Sequence, residues 1–470
     1  MSDIILVRVI DRSMPIFKRI GAVQHPMNLV YLATWLRNHG HIPEIVDLEV
    51  ESESYLVKRL ISAAPYLVGI TAMTPNIPEA KRICNLSRSL GIKTVLGGVH
   101  PTVLPVQTFQ DTGCDYIVIG EGERPLCDLL NSLKDNRPVD SIKGIAFLMN
   151  GSPVVNERPQ FIDPDELLLP ERRFLKLDLY HGHTTPGILG RAAVIFTSRG
   201  CPYDCKFCAS SVINQQRIRY RNMESIFREI DDVVSLGFNH ITIDDDAFTL
   251  DGQRVKEFCT YLKSKYPSLF WDCDTRVDAV NEELLAVMKG SHCKKIAFGV
   301  ESGSPRILKS INKNIDINQI KYAFKLAKKF KILTQAFMMI GFPEETAEDI
   351  KSTEKLIAEI KPDLLCLSIV VPYPGTAIYD DMLKKDYLDH ADWDLFNYFG
   401  ENIPWHTKYF SGKDLVAIRK SINRKFYFHH SYIFRKMISV RSLAEIRYLI
   451  KGGRVAIHAF SKLEKERVAK

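Results

Sequence analysis

Short apolar runs recur along this chain. Each is closed by glycine, proline or an acid and followed by a stretch of helical periodicity. Residues 4–10, 66–71, 93–96 and 116–119 read as buried strands, and 43–46 as a shorter one ending at Asp47. Between them, 27–38 has helical spacing with Gly40 as its stop, and Asn76 with Pro78 opens another helix. Strands that alternate with helices predict a parallel, doubly wound sheet over residues 1–135. Such sheets bind ligands at the carboxyl ends of their strands. Glycines gather at two of those ends, in Gly97-Gly98-Val99-His100 and Gly120-Glu121-Gly122-Glu123. There they allow a bulky ligand to approach the backbone closely.

Residues 136–190 lose the alternation and carry Pro138, Pro153, Pro159, Pro164 and Pro170, the punctuation of a linker. From 191 to 410 the alternation resumes, with strands expected at 193–198, 240–243, 270–273, 295–300, 333–340 and 364–370. Asn222 caps a helix that ends near Gly237. Six strand–helix units predict a partial (β/α)6 barrel, open on one side, with its chemistry at the C-terminal strand ends. Residues 411–470 read as a basic, helical C-terminal region, with an amphipathic helix over 442–450 that Gly452-Gly453 breaks. The fold class is α/β throughout the first two units.

The first barrel strand runs into Gly200 and then Cys201-Pro202-Tyr203-Asp204-Cys205-Lys206-Phe207-Cys208. Three thiolates in one loop suit an iron–sulfur cluster or zinc. A four-iron cubane needs four ligands. Three local cysteines leave one iron open for a small molecule, the logic of catalytic metal sites. The competing reading is a zinc knuckle or a trio of surface thiols. Zinc sites usually pair two C-x2-C-type units, and no second unit or neighbouring His is present. Cys259, Cys273, Cys293 and Cys366 read as buried thiols.

The C-x3-C-x2-C spacing, with Phe207 before the last cysteine, resembles the radical SAM superfamily. The phrase Thr197-Ser198-Arg199-Gly200-Cys201-Pro202 resembles its branch with a cobalamin-binding domain, which includes anaerobic magnesium-protoporphyrin monomethyl ester cyclase-like proteins and cobalamin-dependent methylases. The resemblance covers about residues 1–410. It implies a [4Fe-4S] cluster on Cys201, Cys205 and Cys208, with S-adenosylmethionine on the open iron. It also implies reductive cleavage to a 5′-deoxyadenosyl radical. Position by position, it places Asp244 and Asp246 at the methionine ammonium, which needs acceptors. Arg276, Glu301 and Ser302 fall at the carboxylate, ribose and amino contacts, and Phe207 near the adenine. The bland reading for any one of these is an ion pair at the barrel rim.

The same resemblance makes residues 1–135 a Rossmann-like cobalamin-binding domain. Gly97, Gly98, Val99, His100, Gly120, Glu121, Gly122 and Glu123 then hold the corrin edge and its tail, and Thr71 and Thr74 line the tail pocket. Many cobalamin proteins carry D-x-H-x-x-G, whose His ligates cobalt. That motif is absent here, and Asp11-Arg12-Ser13 is its nearest match. Cobalamin is therefore expected without such a His ligand; the alternative is a domain that has lost the cofactor or binds something else.

Ten cysteines at irregular spacings do not form a secreted disulfide framework, and a reducing cytoplasm fits an oxygen-sensitive cluster. No apolar run reaches the ~18 residues of a spanning helix, and the N-terminus has no basic leader. The net charge is +7, but residues 411–470 hold fifteen Lys and Arg against four Asp and Glu, so the body of the chain is net negative. Aromatics interleave with cations over 425–436. Three uses suit this region: a packed cap with a solvated basic face, a peripheral contact with the inner face of the membrane, or nucleic-acid binding. They rank in that order, and no RNA-binding module is visible.

The function expected from the resemblance is functionalisation of an unactivated carbon in a small-molecule or lipid substrate, with flavodoxin or ferredoxin as electron donor. Methylation leads. Oxidative cyclisation or ring rearrangement on the same scaffold is the alternative. Tyr373, near the predicted mouth, is either a substrate contact or packing at a strand end. A non-catalytic cobalamin and cluster redox sensor is the reading from another class.

Overall fold

Two open sheets carry the molecule, each built by helices that return the chain to start the next parallel strand. A computed structural model describes residues 2–11, 23–180, 191–388 and 392–439. The first sheet comprises β1 (Ile4–Arg8), β2 (Pro43–Asp47), β3 (Leu67–Thr71), β4 (Lys93–Gly97) and β5 (Tyr116–Val118). These five run parallel in the order β2-β1-β3-β4-β5. That order reverses direction beside β1, which sets the ligand crevice at the carboxyl ends of β1 and β3. The strands are almost wholly apolar because both faces are covered. Helices α1 (Met27–Asn38), α2 (Glu53–Ala63), α3 (Ile77–Ser89), α4 (Val99–Val103), α5 (Pro105–Thr112) and α6 (Glu123–Lys134) supply the two flanking layers.

The sheet does not stop near residue 135. A hairpin of β6 (Ile145–Met149) and β7 (Ser152–Val155) extends it antiparallel from β5. Its turn is Asn150-Gly151, both at positive φ (51° and 78°), as a type I′ turn requires. The Asn-Gly pair was the signal for this hairpin; the surrounding prolines hid it. The segment expected to be all linker is thus partly sheet.

The second sheet follows the expected scheme. β8 (Ala192–Ile195), β11 (His240–Ile243), β12 (Phe270–Arg276), β13 (Cys293–Glu301), β14 (Leu333–Ile340) and β15 (Leu364–Ile369) lie side by side, all parallel. Six strands cannot close, so the barrel is open between β8 and β15. Two short strands, β9 (Ser198–Arg199) and β10 (Arg219–Tyr220), pair separately near its rim. Outward residues such as Trp271, Phe298 and Ile340 pack on the helices in one large core. A short α7 (Ala209–Ile213) follows the cysteine loop, and the packed helices are α8 (Met223–Ser235), α9 (Gly252–Lys265), α10 (Glu282–Gly290), α11 (Pro305–Ser310), α12 (Ile317–Lys329), α13 (Ala347–Ile360) and α14 (Ala377–Lys384). Asn222 caps α8 through a bond from Ser225 N, as expected.

The chain leaves β15 through residues 392–410 and enters α15 (Gly412–Tyr427) and α16 (His430–Ser439). Arg419 of α15 is buried and donates to the carbonyls of Tyr398, Phe399 and Gly400, which fastens this return segment along β15. The amphipathic helix expected at 442–450 and most of the Asp11-Arg12-Ser13 motif lie outside the described residues. Among the described residues, no helix is long and apolar enough to cross a membrane.

The two sheets are joined by a buried charge cluster. Arg172 of the connecting segment and Arg221 each reach Glu229 of α8, at 2.6 and 2.5 Å. Arg221 also donates to Tyr31 of α1 at 3.0 Å. All four side chains are buried. The guanidinia hold the Glu229 carboxyl below its usual range against the burial that would raise it.

Candidate active site

The thiol loop is closed on itself before any ligand is considered. β9 and β10 pair antiparallel and pin both of its ends. Gly200 has φ +86°, and a Cβ there would lie 2.2 Å from the Arg217 carbonyl oxygen, so only glycine fits. Lys206 N donates to Ile311 O, Asn312 Nδ2 to Asp204 O, and Ile378 N to Lys206 O. Those bonds fix the loop against two neighbouring turns. The Arg276 guanidinium lies 3.7 Å from the centre of the Tyr203 ring.

Cys205 is buried, Cys201 and Cys208 are half-buried, and all three are free thiols. Burial raises each above the usual thiol range, Cys208 to about 11; Cys201 also senses Cys205, and Cys208 senses both Cys205 and Cys201. Lys313 and Arg276 oppose the shift at Cys205. A cation among the three sulfurs would remove their mutual repulsion. Among the described residues, no three His, Cys, Asp or Glu side chains converge closely enough to hold a single metal ion. Zinc would draw its thiolates to ~2.3 Å of one centre. A polynuclear cluster spreads its sulfurs around several metals. Three cysteines in one loop, with no fourth in that loop, fit a cluster that keeps one iron open.

The three acids after β11 have three different roles. Asp245 is buried and accepts from Thr197 N (2.7 Å), Thr197 Oγ1 and Ser198 Oγ (2.7 Å), so it braces the approach to the thiol loop. Asp246 accepts from Ser210 Oγ at 2.6 Å and bears on Cys201 and Cys208, which places it beside the loop. Asp244 faces the barrel bore. Its side chain is open to solvent at the mouth, but the protein walls around it, then Asp274 on the next strand, push its carboxyl up to about 7. Asp274 is itself raised to about 6, with Lys295 opposing. Deeper in the bore, Asp272 pairs with His240 Nε2 at 2.5 Å and lies 3.8 Å from Lys295 Nζ.

Arg276 and Ser302 are positioned differently from expectation. Nε and Nη2 of Arg276 bond both oxygens of Asp278 at 2.8 and 2.9 Å, and Nη2 also donates to Lys313 O. The fork expected for a ligand carboxylate is engaged by the protein. Ser302 is fully buried and its hydroxyl meets Ser304 N and Thr353 Oγ1. Glu301 stands at the end of β13 with φ +69°, where the register with β14 slips. A non-glycine residue held there is costly and typical of functional sites.

Lys313 was missed by the sequence reading. Its buried ammonium lies 2.8 Å from Glu301 Oε1 and 6.0 Å from the centre of the Phe207 ring. A Cβ on Gly299 would come within 2.8 Å of both ends of this ion pair. Asn312 and Asn314 flank Lys313 at φ +57° and +53°. The Asn-Lys-Asn triplet was its available signal, because asparagine tolerates left-handed backbone. Phe207 meets Phe342 edge-on at 6.3 Å, which makes an apolar wall beside the pair. Tyr373 and Tyr398 meet at 5.5 Å, and Tyr398, raised to about 12 chiefly by burial, senses Cys208, Cys366 and Glu301. Cys366, expected to be buried, is only partly so, whereas Cys259, Cys273 and Cys293 are buried.

Across the joint, the glycine-bearing loops of the first sheet face the same region. Gly98 has φ +109°, and a Cβ would lie 2.6 Å from Ala72 O; Gly97 has nothing nearer than 3.7 Å. Thr71 ends β3 and accepts from Asn28 Nδ2 at 3.2 Å. Val99, half-buried, starts α4. His100 is fully buried, its Nδ1 3.1 Å from Thr74 Oγ1, and Nε2 has no hydrogen-bond partner. Burial pushes its pKa down to about 4, so it is neutral. Trp393 of the return segment meets its edge at 4.9 Å. A glycine rim with room at Gly97, beside an orphaned buried nitrogen, fits a large ligand with a polar tail.

Gly120 and Gly122 follow β5 at the same end of the sheet but are closed in by Arg158 and Leu32, and Glu121 and Glu123 are committed elsewhere. Arg199 reaches Glu121 at 2.9 Å and Glu123 at 2.6 Å, and Arg219 reaches Glu121 at 2.8 Å. These carboxylates join the rim to the strand pair that pins the thiol loop. The two guanidinia keep Glu121 below the usual range although burial would raise it.

The B12 binding domain family model matches residues 15–130. The radical SAM superfamily model matches residues 195–357. An uncharacterised methyltransferase of Pyrococcus horikoshii is 30% identical over 448 residues, covering 91% of this chain and 95% of the relative. The anaerobic magnesium-protoporphyrin IX monomethyl ester cyclase of Rubrivivax gelatinosus is 27% identical over 388 residues, 79% of this chain and 68% of that one. Among solved structures, the cobalamin-dependent S-adenosylmethionine radical enzyme OxsB, with aqua-cobalamin and S-adenosylmethionine bound, superposes with a TM-score of 0.75. It is 18% identical, and the match covers 97% of this chain and 71% of that one.

Proposed function

Because the chain belongs to the cobalamin-binding radical SAM family, we propose that it methylates an unactivated carbon of a small molecule held in the barrel bore. It is a cobalamin-dependent radical SAM enzyme whose cofactors are a [4Fe-4S] cluster, S-adenosylmethionine and cobalamin. When bound, these groups supply the adenosyl radical and the methyl group.

The chain's own residues hold and orient. Cys201, Cys205 and Cys208 are the three cluster ligands. Asp246 is the acceptor nearest the thiol loop for the ammonium of S-adenosylmethionine. Lys313 and Glu301 offer one cation and one anion beside Phe207, which suits a zwitterionic ligand with an aromatic end. Phe207 and Phe342 keep water from that end. Asp244, whose carboxyl is raised from the usual range beside Asp274, can either donate or accept a hydrogen bond at the mouth of the bore. Thr71, Thr74, Gly97, Gly98, Val99, His100, Gly120 and Gly122 form the cobalamin rim, with Glu121 and Glu123 acting as its fasteners. The observation that carries this reading is the Arg199 bridge to Glu121 and Glu123, which sets that rim over the thiol loop so that both cofactors share one mouth.

The test uses reconstituted protein, a low-potential reductant such as reduced flavodoxin, deuteromethyl-labelled S-adenosylmethionine and a metabolite extract from the source organism. A product that gains the labelled methyl supports methylation. A product that loses hydrogen without gaining label supports oxidative cyclisation, the activity named for the Rubrivivax relative.

A further inference from the structure

Helix α16 is mounted inside out. Tyr432, Arg435 and Lys436 share one face at i, i+3 and i+4 spacing, and that polar face docks on the protein. Tyr432 Oη donates to Asp363 O at 3.2 Å, Arg435 Nη1 to Lys361 O at 3.0 Å, and Lys436 Nζ lies 3.5 Å from Asp363 Oδ1. The opposite face presents Phe434, Met437 and Ile438, again at i, i+3 and i+4, with Ile433 on its flank. Their exposures are 60%, 63%, 67% and 43%. A helix folded only against its own protein turns its apolar face inward. This one keeps three large apolar side chains in contiguous contact with solvent, which marks an interaction surface.

Charge narrows the occupant. From 411 to 439 the chain has seven Lys and Arg and one Asp, and Lys413, Arg424 and Lys425 are exposed. Residues 440–470 add eight basic against three acidic residues. Lys425 is paired with Glu354, so the remaining positive charge comes from Lys413, Arg424 and the basic residues that follow α16 in sequence. An apolar stripe with aromatic content inside so basic a stretch of chain matches the boundary between acyl chains and anionic headgroups. We propose that α16 is a peripheral anchor that lays Phe434, Met437 and Ile438 into the surface of an anionic bilayer. The anchor's position has a consequence. It docks on residues 361–363, just before β15 begins, and so at the N-terminal end of the barrel strands. The thiol loop and Glu301 stand at the C-terminal ends. The bilayer is thus met by the base of the barrel, with the mouth turned away from it, and substrate enters from the aqueous side.

The experiment is vesicle co-sedimentation of the full chain. Vesicles of phosphatidylcholine with phosphatidylglycerol are compared with phosphatidylcholine alone, at low and high salt. Wild type should pellet with the anionic vesicles and be released by salt. Phe434→Asp with Met437→Asp should lower the partition coefficient by about tenfold or more. Phe434→Ser with Ile438→Ser is a milder pair with the same expected direction, and an unchanged melting curve shows that either variant is folded. The proposal is overturned if wild type does not pellet, or if both variants pellet as well as wild type. It is equally overturned if wild type is a larger oligomer than the variants in solution, because the stripe would then cover a second copy of this chain.

Discussion

Lys313 shows how one side chain can set the character of the site. It is buried against Glu301, faces Phe207 and bears on Cys205. Lys313→Met leaves Glu301 buried without its partner, and breaking such a pair costs about 3–5 kcal/mol. The expected result is a lower denaturation midpoint together with weaker S-adenosylmethionine binding by calorimetry. An unchanged affinity would remove Lys313 from the site. Glu345, after β14, is fully buried, and its Oε2 accepts from Gly341 N and Phe342 N at 2.5 and 3.3 Å. Burial raises its pKa from 4.5 to about 8. Between those values the folded protein keeps a proton that the unfolded chain has lost, so this group's contribution to stability falls as pH rises through the window. Glu345→Gln should flatten that fall, worth on the order of a few kcal/mol, in urea titrations at about pH 5 and about pH 8. Single residues were the least legible scale. The cysteine spacing is local in sequence, so it could be read directly. Arg276 and Ser302 had the right chemistry at the right strand ends, but their partners Asp278, Ser304 and Thr353 engage them in ways that only the folded chain shows.

Elements were legible wherever both faces are buried. The barrel strands carry enough apolar residues on their core-facing side to be read despite polar residues in the bore such as His240, Asp272 and Lys295, and all six form at the expected places. The β6–β7 hairpin lies at a sheet edge, where polar residues and prolines are tolerated, and its Asn-Gly turn carried the only strong cue. Helix α8 contributes through Glu229, the centre of the joint between the sheets. Glu229→Ala removes the carboxylate shared by two buried guanidinia, leaving Arg172 only Asp232 at 4.0 Å, and should cost about 3–5 kcal/mol, seen in thermal or denaturant unfolding. Its pKa is depressed, so its contribution is present above the usual Glu range and is lost as pH falls below it. A stability curve unchanged by Glu229→Ala between neutral and acid pH would contradict that role.

At the scale of the whole molecule, the two units matter because of what they face. Arg199 lies two residues before Cys201 and bonds Glu121 and Glu123 on the cobalamin side, and Trp393 returns from the end of the barrel to Asp111 and His100. None of these ties is legible in sequence; the three hydrogen-bonded ones span 78, 76 and 282 residues. Arg199→Met should therefore loosen the mouth more than the fold. We expect corrinoid retention on gel filtration to fall while cluster absorbance is kept. Equal loss of both would point to a folding defect instead. The most direct test of the account is anaerobic reconstitution with iron, sulfide and hydroxocobalamin, followed by S-adenosylmethionine and reductant. Two quantities are read from one sample, the corrin band retained after desalting and the 5′-deoxyadenosine formed. The account predicts both in wild type, and loss of deoxyadenosine with the corrin band kept in Cys205→Ala. Deoxyadenosine without retained corrin, or none from a protein with an intact cluster, would contradict it.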